Sequence, residues 1–178
     1  MENSLASSAV KEGAAQQAAL LFVDDEPNIL SALKRLFRPL GYRIFTAAGG
    51  AAGLTILARE RVDLVISDMR MPEMNGAQFL ERVRQEWPDT ARILLTGYAE
   101  TGSAIDAINK GKIFRYISKP WEDSDITLIV KHGLERRDLE RRNKGLDELT
   151  RKQDEEMKQL NADLEEKVKA RAGEVRQR

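Results

Sequence analysis

Apolar residues along this chain come in short runs separated by stretches of a different period. The runs ALLFV (19–23), RIFTA (43–47), VDLVIS (62–67), RILLTG (92–97) and FRYIS (114–118) have the length and Val/Ile/Leu content of buried strands. Between them, residues 28–40, 51–60, 76–86 and 101–110 repeat their apolar positions at helical spacing. Pro27 stands where a first helical turn tolerates proline, and Gly41 stands just past the end of that helix. Five strands alternating with helices predict an α/β fold, a parallel sheet covered by helices on both faces.

The pattern changes at both ends. Residues 1–18 are small and polar and read as a disordered lead-in. From about Ser124 the period is helical and stays so, and past Leu139 charge dominates. There Leu146, Leu149, Met157, Leu160, Leu164, Val168 and Val175 recur in steps of three and four, with Gln153 and Arg171 filling the gaps. The spacing is 3-4-4 repeated, an eleven-residue period of about 3.67 residues per turn, so the stripe runs nearly straight along a helix. So narrow a stripe suits pairing with another helix. Gly145 and Gly173, poor residues for a helix interior, keep a second reading open, that of a solvated and frayed helix.

Composition narrows the function classes. The 178 residues suffice for one packed domain and an appendage. Lys and Arg number 29 against 29 Asp and Glu, so no bulk field draws the chain to nucleic acid or to anionic membrane. The absence of cysteine excludes disulfides and thiolate zinc sites and agrees with a cytoplasmic location. No apolar run is long enough to span a bilayer, and the first residues lack the basic-then-apolar order of a signal peptide.

Candidate chemistry lies at the strand ends. The first strand runs into Asp24-Asp25-Glu26, the third into Asp68, the fourth into Thr96, and the fifth into Ser118-Lys119-Pro120. Ligands of a doubly wound sheet bind outside the carboxyl ends of its strands. With the first and third strands adjacent, as in the order 2-1-3-4-5, Asp24, Asp25 and Asp68 converge. Clustered carboxylates are relieved by a hard divalent cation, and an all-oxygen set favours magnesium, which commonly shares its site with a phosphate. Lys119 offers a positive charge and Thr96 a hydroxyl to phosphoryl oxygens. Duller readings stand beside these. An Asp pair after a strand also caps a helix, and Lys-Pro also makes a turn.

Taken together, LLFVDDEP, SDMRMPEMNG, LLTGYA and YISKPW resemble the receiver domain of two-component response regulators, in order and spacing, across residues 19–137. The second segment fits the D-x-x-M-P-x-M-x-G signature at Asp68, Met71, Pro72, Met74 and Gly76. The resemblance implies a flavodoxin-like (βα)5 fold, with a five-stranded parallel sheet in the order 2-1-3-4-5 and here a long C-terminal helical extension. It implies that Asp68 takes a phosphoryl group from a phosphohistidine. It further implies Mg2+ held by Asp24, Asp25, Asp68 and the backbone carbonyl of Arg70, a switch pair Thr96 and Tyr116, Lys119 on the phosphoryl group, and a cis Lys119–Pro120 bond. His132, the one histidine, is expected at the surface and not as a phosphodonor.

On this reading residues 19–137 are a receiver and 138–178 a coiled-coil connector. The partners are a cognate histidine kinase or phosphotransfer protein, a second copy paired through the C-terminal helix, and a downstream output domain. The receiver catalyses its own phosphotransfer and dephosphorylation. The segment around 97–123 resembles receivers that precede HD-GYP phosphodiesterases, and the tail resembles connectors before those, GGDEF cyclases or kinases. None of the motifs of such outputs occurs in the chain. Two other classes compete: a phosphorylation-independent scaffold with the receiver fold, and a transcription factor. The scaffold has no need of the complete acidic, Thr and Lys set. The transcription factor lacks a helix-turn-helix, and the mixed charges of the tail make a poor phosphate-binding stripe.

Overall fold

The computed structural model describes residues 17–97, 102 and 113–176. In chain order it contains β1 (Ala19–Val23), α1 (Pro27–Phe37), a 3-10 turn (Arg38–Leu40), β2 (Arg43–Ala47), α2 (Gly50–Arg59), β3 (Leu64–Asp68), α3 (Gly76–Glu86), β4 (Ala91–Thr96), β5 (Arg115–Ser118) and α4 (Asp123–Arg176). The helix expected over 101–110 lies outside the described residues.

The five strands form one parallel sheet in the order β2-β1-β3-β4-β5, the doubly wound order expected of the sequence. β1 and β3 sit in the middle, and every residue of both is buried. Their side chains alternate between two apolar layers, which is why these runs read as unbroken hydrophobic stretches. Leu21, Val23, Val65 and Leu94 face one layer with Phe79, Leu80 and Val83 of α3. Leu20, Phe22, Leu64 and Ile66 face the other with Leu33 and Phe37 of α1 and Ile126 and Val130 of α4. The Phe22 and Phe37 rings meet there at 5.4 Å between centroids.

Local chemistry sets the element ends. Pro27 occupies the first turn of α1, and Gly41 ends the 3-10 turn at φ 88°, a conformation glycine takes without strain. Asn75 and Gln78 form a reciprocal capping box on α3: the Gln78 N–H donates to Asn75 Oδ1 at 2.9 Å, and the Asn75 N–H donates to Gln78 Oε1 at 3.1 Å. Several bounds shift by one to three residues from the expectation: β3 runs 64–68 and so ends on Asp68, β4 runs 91–96, and β5 begins at 115. α1 stops at Phe37 and tightens into a 3-10 turn at Arg38–Leu40, where Pro39 withholds a backbone donor.

By its internal packing the chain divides into two units, Met1–Leu134 and Glu135–Arg178. The second is helical through Arg176, and its Leu and Met side chains are exposed. No helix among the described residues is long and apolar enough to cross a membrane.

Candidate functional site

A parallel sheet gathers the carboxyl ends of its strands along one rim. β1 leads directly into Asp24 and Asp25, β3 ends on Asp68, β4 on Thr96, and β5 on Ser118 with Lys119 next. The pairing Val23↔Ser67 brings Asp24 beside Asp68 one step further along the ladder. The pairing Thr96↔Ser118 brings Lys119 to the same rim, where its N–H donates to the Thr96 carbonyl at 2.8 Å.

One carboxylate oxygen each from Asp24, Asp25 and Asp68 lie within 4.8 Å of one another. Asp24 is fully buried, Asp68 nearly so, and Asp25 is exposed. Lys119 Nζ bridges the two buried acids, 2.9 Å from Asp24 Oδ2 and 3.0 Å from Asp68 Oδ1. The helix-cap reading of the acidic pair does not hold. The N-cap of α1 is Glu26, without any side-chain cap, and Asp24 Oδ1 instead accepts the Glu26 N–H at 2.9 Å. The acidic pair is therefore left to serve the rim, and a carboxylate set with no nitrogen or sulfur donor is suited to a hard divalent cation.

Two buried carboxylates, Asp24 and Asp68, share the one ammonium of Lys119. Burial pushes the Asp68 carboxyl above its usual range; the Lys119 hydrogen bond pulls it back, and the charge of Asp24 adds to the rise. Burial also pulls the Lys119 ammonium down, but its bonds to Asp24 and Asp68 outweigh that and hold its pKa above the ordinary value. A raised carboxyl favours the proton in the folded state, so ionised Asp68 costs stability as pH rises from the usual carboxylate range through its folded pKa. Asp68→Asn is therefore expected to raise the unfolding midpoint at neutral pH in metal-free buffer by roughly 2–4 °C, the response to about 1 kcal/mol. Differential scanning calorimetry checks it, and a lowered midpoint would contradict the charge imbalance.

The loop after Asp68 is held by backbone contacts. The Met69 N–H donates to the Leu95 carbonyl at 3.0 Å, the Gly76 N–H to the Met69 carbonyl at 2.8 Å, and Ser67 Oγ to the Asp68 carbonyl at 2.9 Å. Gly76 approaches so closely that a Cβ on it would collide with the Asp68 carbonyl oxygen and lie 2.9 Å from Met69 Cα. Between them the Met74 N–H donates to the Pro72 carbonyl at 2.7 Å across Glu73, which sits at φ 67°, a tight turn that few non-glycine residues adopt. Met74 then packs over the start of α2, where a Cβ on Gly50 would lie 2.7 Å from its sulfur.

The remaining expected residues fall as follows. Thr96 is buried at the rim. Tyr116 lies on β5 two residues before Ser118, so side-chain alternation puts it on the face of the sheet that carries Thr96, with the residue 49 % exposed. Arg70 is exposed in the β3–α3 loop, His132 is exposed on α4, and the Lys119–Pro120 bond is cis. Three supporting features escaped sequence reasoning: the Lys119–Asp24 pair, the Ser67 bond and the Met74–Gly50 contact. The sequence carried no signal for the first, whose partners stand 95 positions apart.

Comparison with known proteins agrees with this geometry. The family profile of the response regulator receiver domain matches residues 20–131. Sporulation initiation phosphotransferase F of Bacillus subtilis is 34 % identical over 118 residues, covering 65 % of this chain and 92 % of that protein. Transcriptional regulatory protein GlrR of Escherichia coli K12 is 38 % identical over 118 residues, 66 % of this chain but only 26 % of GlrR. The chain thus spans about a quarter of the length of such regulators. Among solved structures, the signal receiver domain of an HD domain-containing protein from Pseudomonas fluorescens Pf-5 superposes with a TM-score of 0.67 at 40 % identity, covering 68 % of this chain and 98 % of that one.

Proposed function

The chain belongs to the response regulator receiver family, and on that premise we propose that it is a phosphoacceptor switch, modified on Asp68 by a histidine kinase or phosphotransfer protein. The observation that carries the reading is the buried Asp24–Lys119–Asp68 bridge at the rim of the sheet. A structural core does not require it, and it leaves Asp68 both held in place and facing an acidic cation site.

In the reaction a carboxylate oxygen of Asp68 attacks the phosphorus of a phosphohistidine. The P–N bond breaks as the O–P bond forms, and the imidazole leaves with its electron pair. Asp24, Asp25, Asp68 and the Arg70 carbonyl would hold Mg2+, whose charge offsets that of the transferring group. Lys119, already 3.0 Å from Asp68, needs only a small swing to meet a phosphoryl oxygen. The buried Thr96 hydroxyl donates to another oxygen, and its movement opens room for the Tyr116 ring on the same face of the sheet. That local change biases the exposed surface around β5 and α4.

Residues 19–137 act as the receiver and 138–178 as the connector, paired in a cytoplasmic homodimer through the exposed stripe of α4. The likeness to the receiver of an HD domain-containing protein supports an output domain of that type. The experiment is incubation with acetyl phosphate and Mg2+ read by intact mass. The expected result is a gain of one phosphoryl group that is lost in Asp68→Ala. Absence of labelling from both acetyl phosphate and a panel of phosphorylated histidine kinases would favour the phosphorylation-independent scaffold.

A further inference from the structure

We infer that Ser67 is a positioning residue for the phosphoacceptor: its hydroxyl fixes the plane of the peptide unit that follows Asp68 and so aims the Asp68 side chain. The inference rests on the phosphoacceptor reading proposed above and adds a residue to that site.

Three observations carry it. The first is the place of Ser67. It is fully buried on β3, on the face of the sheet that carries Val65 and the apolar layer around Val23, Met69 and Phe79. A hydroxyl in such surroundings costs stability unless it is hydrogen-bonded, and an alanine there would carry no such demand.

The second observation is the bond the hydroxyl makes. Ser67 Oγ lies 2.9 Å from the Asp68 carbonyl oxygen, and since a carbonyl can only accept, the hydroxyl is the donor. The pairing of β3 with β1 ends at Val23↔Ser67, so this carbonyl stands just past that ladder. A side chain holds the backbone where the neighbouring strand no longer pairs with it.

The third observation is how the same peptide unit is held elsewhere. Its N–H, that of Met69, donates to the Leu95 carbonyl at 3.0 Å, and Gly76 sits so close to its oxygen that a Cβ would collide. The unit is therefore fixed at its nitrogen by β4 and at its oxygen by Ser67. Rotation of that plane would turn the Asp68 Cα, and with it the carboxylate that lies 3.0 Å from Lys119 Nζ. It would also displace the Arg70 carbonyl further along the loop. Attack on phosphorus requires the carboxylate oxygen in line, so an error of aim costs rate more than it costs binding of the phosphoryl donor.

The test follows phosphorylation of the full chain and of its Ser67→Ala and Ser67→Cys variants by acetyl phosphate with Mg2+, over a range of acetyl phosphate concentrations. Cysteine is close to serine in size but its S–H is a weak donor, so it separates the hydrogen bond from the filling of space. The expected result is a saturating rate lowered about tenfold in both variants, with the half-saturating concentration of acetyl phosphate unchanged. Circular dichroism at the assay temperature establishes that the variants are folded, and the cysteine variant decides alone if the alanine variant unfolds. A wild-type saturating rate in either folded variant, or a loss confined to the half-saturating concentration, overturns the role of Ser67 while leaving Asp68 as phosphoacceptor. A wild-type chain that takes no phosphoryl group from acetyl phosphate or from phosphorylated histidine kinases overturns the phosphoacceptor reading, and the role of Ser67 with it.

Discussion

Gly76→Ala is expected to lower the unfolding midpoint by about 10 °C, the response of a domain of this size to about 3 kcal/mol. The added methyl would overlap the Asp68 carbonyl oxygen and crowd the Asp68 carbonyl carbon and Met69 Cα, all three of them backbone atoms. Backbone at the end of a central, fully buried strand has no rotamer by which to yield. Two other glycines calibrate the effect. A Cβ on Gly53 meets the Phe79 ring at 2.9 Å, and that side chain can shift at a smaller cost. A Cβ on Gly49 meets nothing within 4 Å. Thermal unfolding should therefore rank the alanine variants Gly76, then Gly53, then Gly49, from most to least damaging. A Gly76 variant as stable as the Gly49 variant would mean that the β3–α3 loop relaxes freely. Since the same backbone carries Asp68, the Gly76 variant should also accept phosphoryl groups slowly at temperatures where it remains folded.

The second large effect concerns Lys119→Ala. The substitution leaves the carboxylates of Asp24 and Asp68, one fully buried and one nearly so, without the ammonium that bridges them. Stripping one partner from a buried pair costs about 3 kcal/mol, and the residual exposure of Lys119 places the expected loss at the low end of the range. The stability that Lys119 contributes has a defined pH window. Its folded pKa is raised, so the contribution is complete below the ordinary value of 10.5 and is lost as pH rises through the folded value. The wild type should therefore weaken steeply in alkali, and the variant should lack that transition. Phosphorylation from acetyl phosphate should fall by about 100-fold, the usual consequence of removing one group that stabilises transition-state charge. Mg2+ should meanwhile stabilise the variant more than the wild type, because Asp24 and Asp68 have then lost the ammonium they share. A variant phosphorylated at the wild-type rate would remove Lys119 from the mechanism.

These two residues mark different limits of what could be read in advance. Gly76 was visible as a motif position, and its place after a loop of Met, Pro and Asn suggested a turn. That it lies against the Asp68 carbonyl is a distance between two points of a folded loop, which no spacing encodes. Lys119 was visible as a charge at the end of a strand and was expected beside a phosphoryl group. Its pairing with Asp24 depends on β1 and β5 delivering their ends to one rim, although β3 and β4 lie between them.

The sequence by itself determined the alternation of strands and helices, the parallel sheet and the set of acidic, hydroxyl and basic residues at the strand ends. It could do so because periodicity and strand-end position are local properties, legible wherever burial on two faces demands unbroken apolar runs. Only the tertiary structure decided between the two uses of the Asp24–Asp25 pair, by giving the α1 cap position to Glu26 and turning Asp24 toward Lys119. It also decided that Leu128 faces solvent, 51 % exposed, on a helix whose Ile126 and Val130 are fully buried. In both cases the deciding fact is which side of an element faces solvent, and that is fixed by partners distant in sequence.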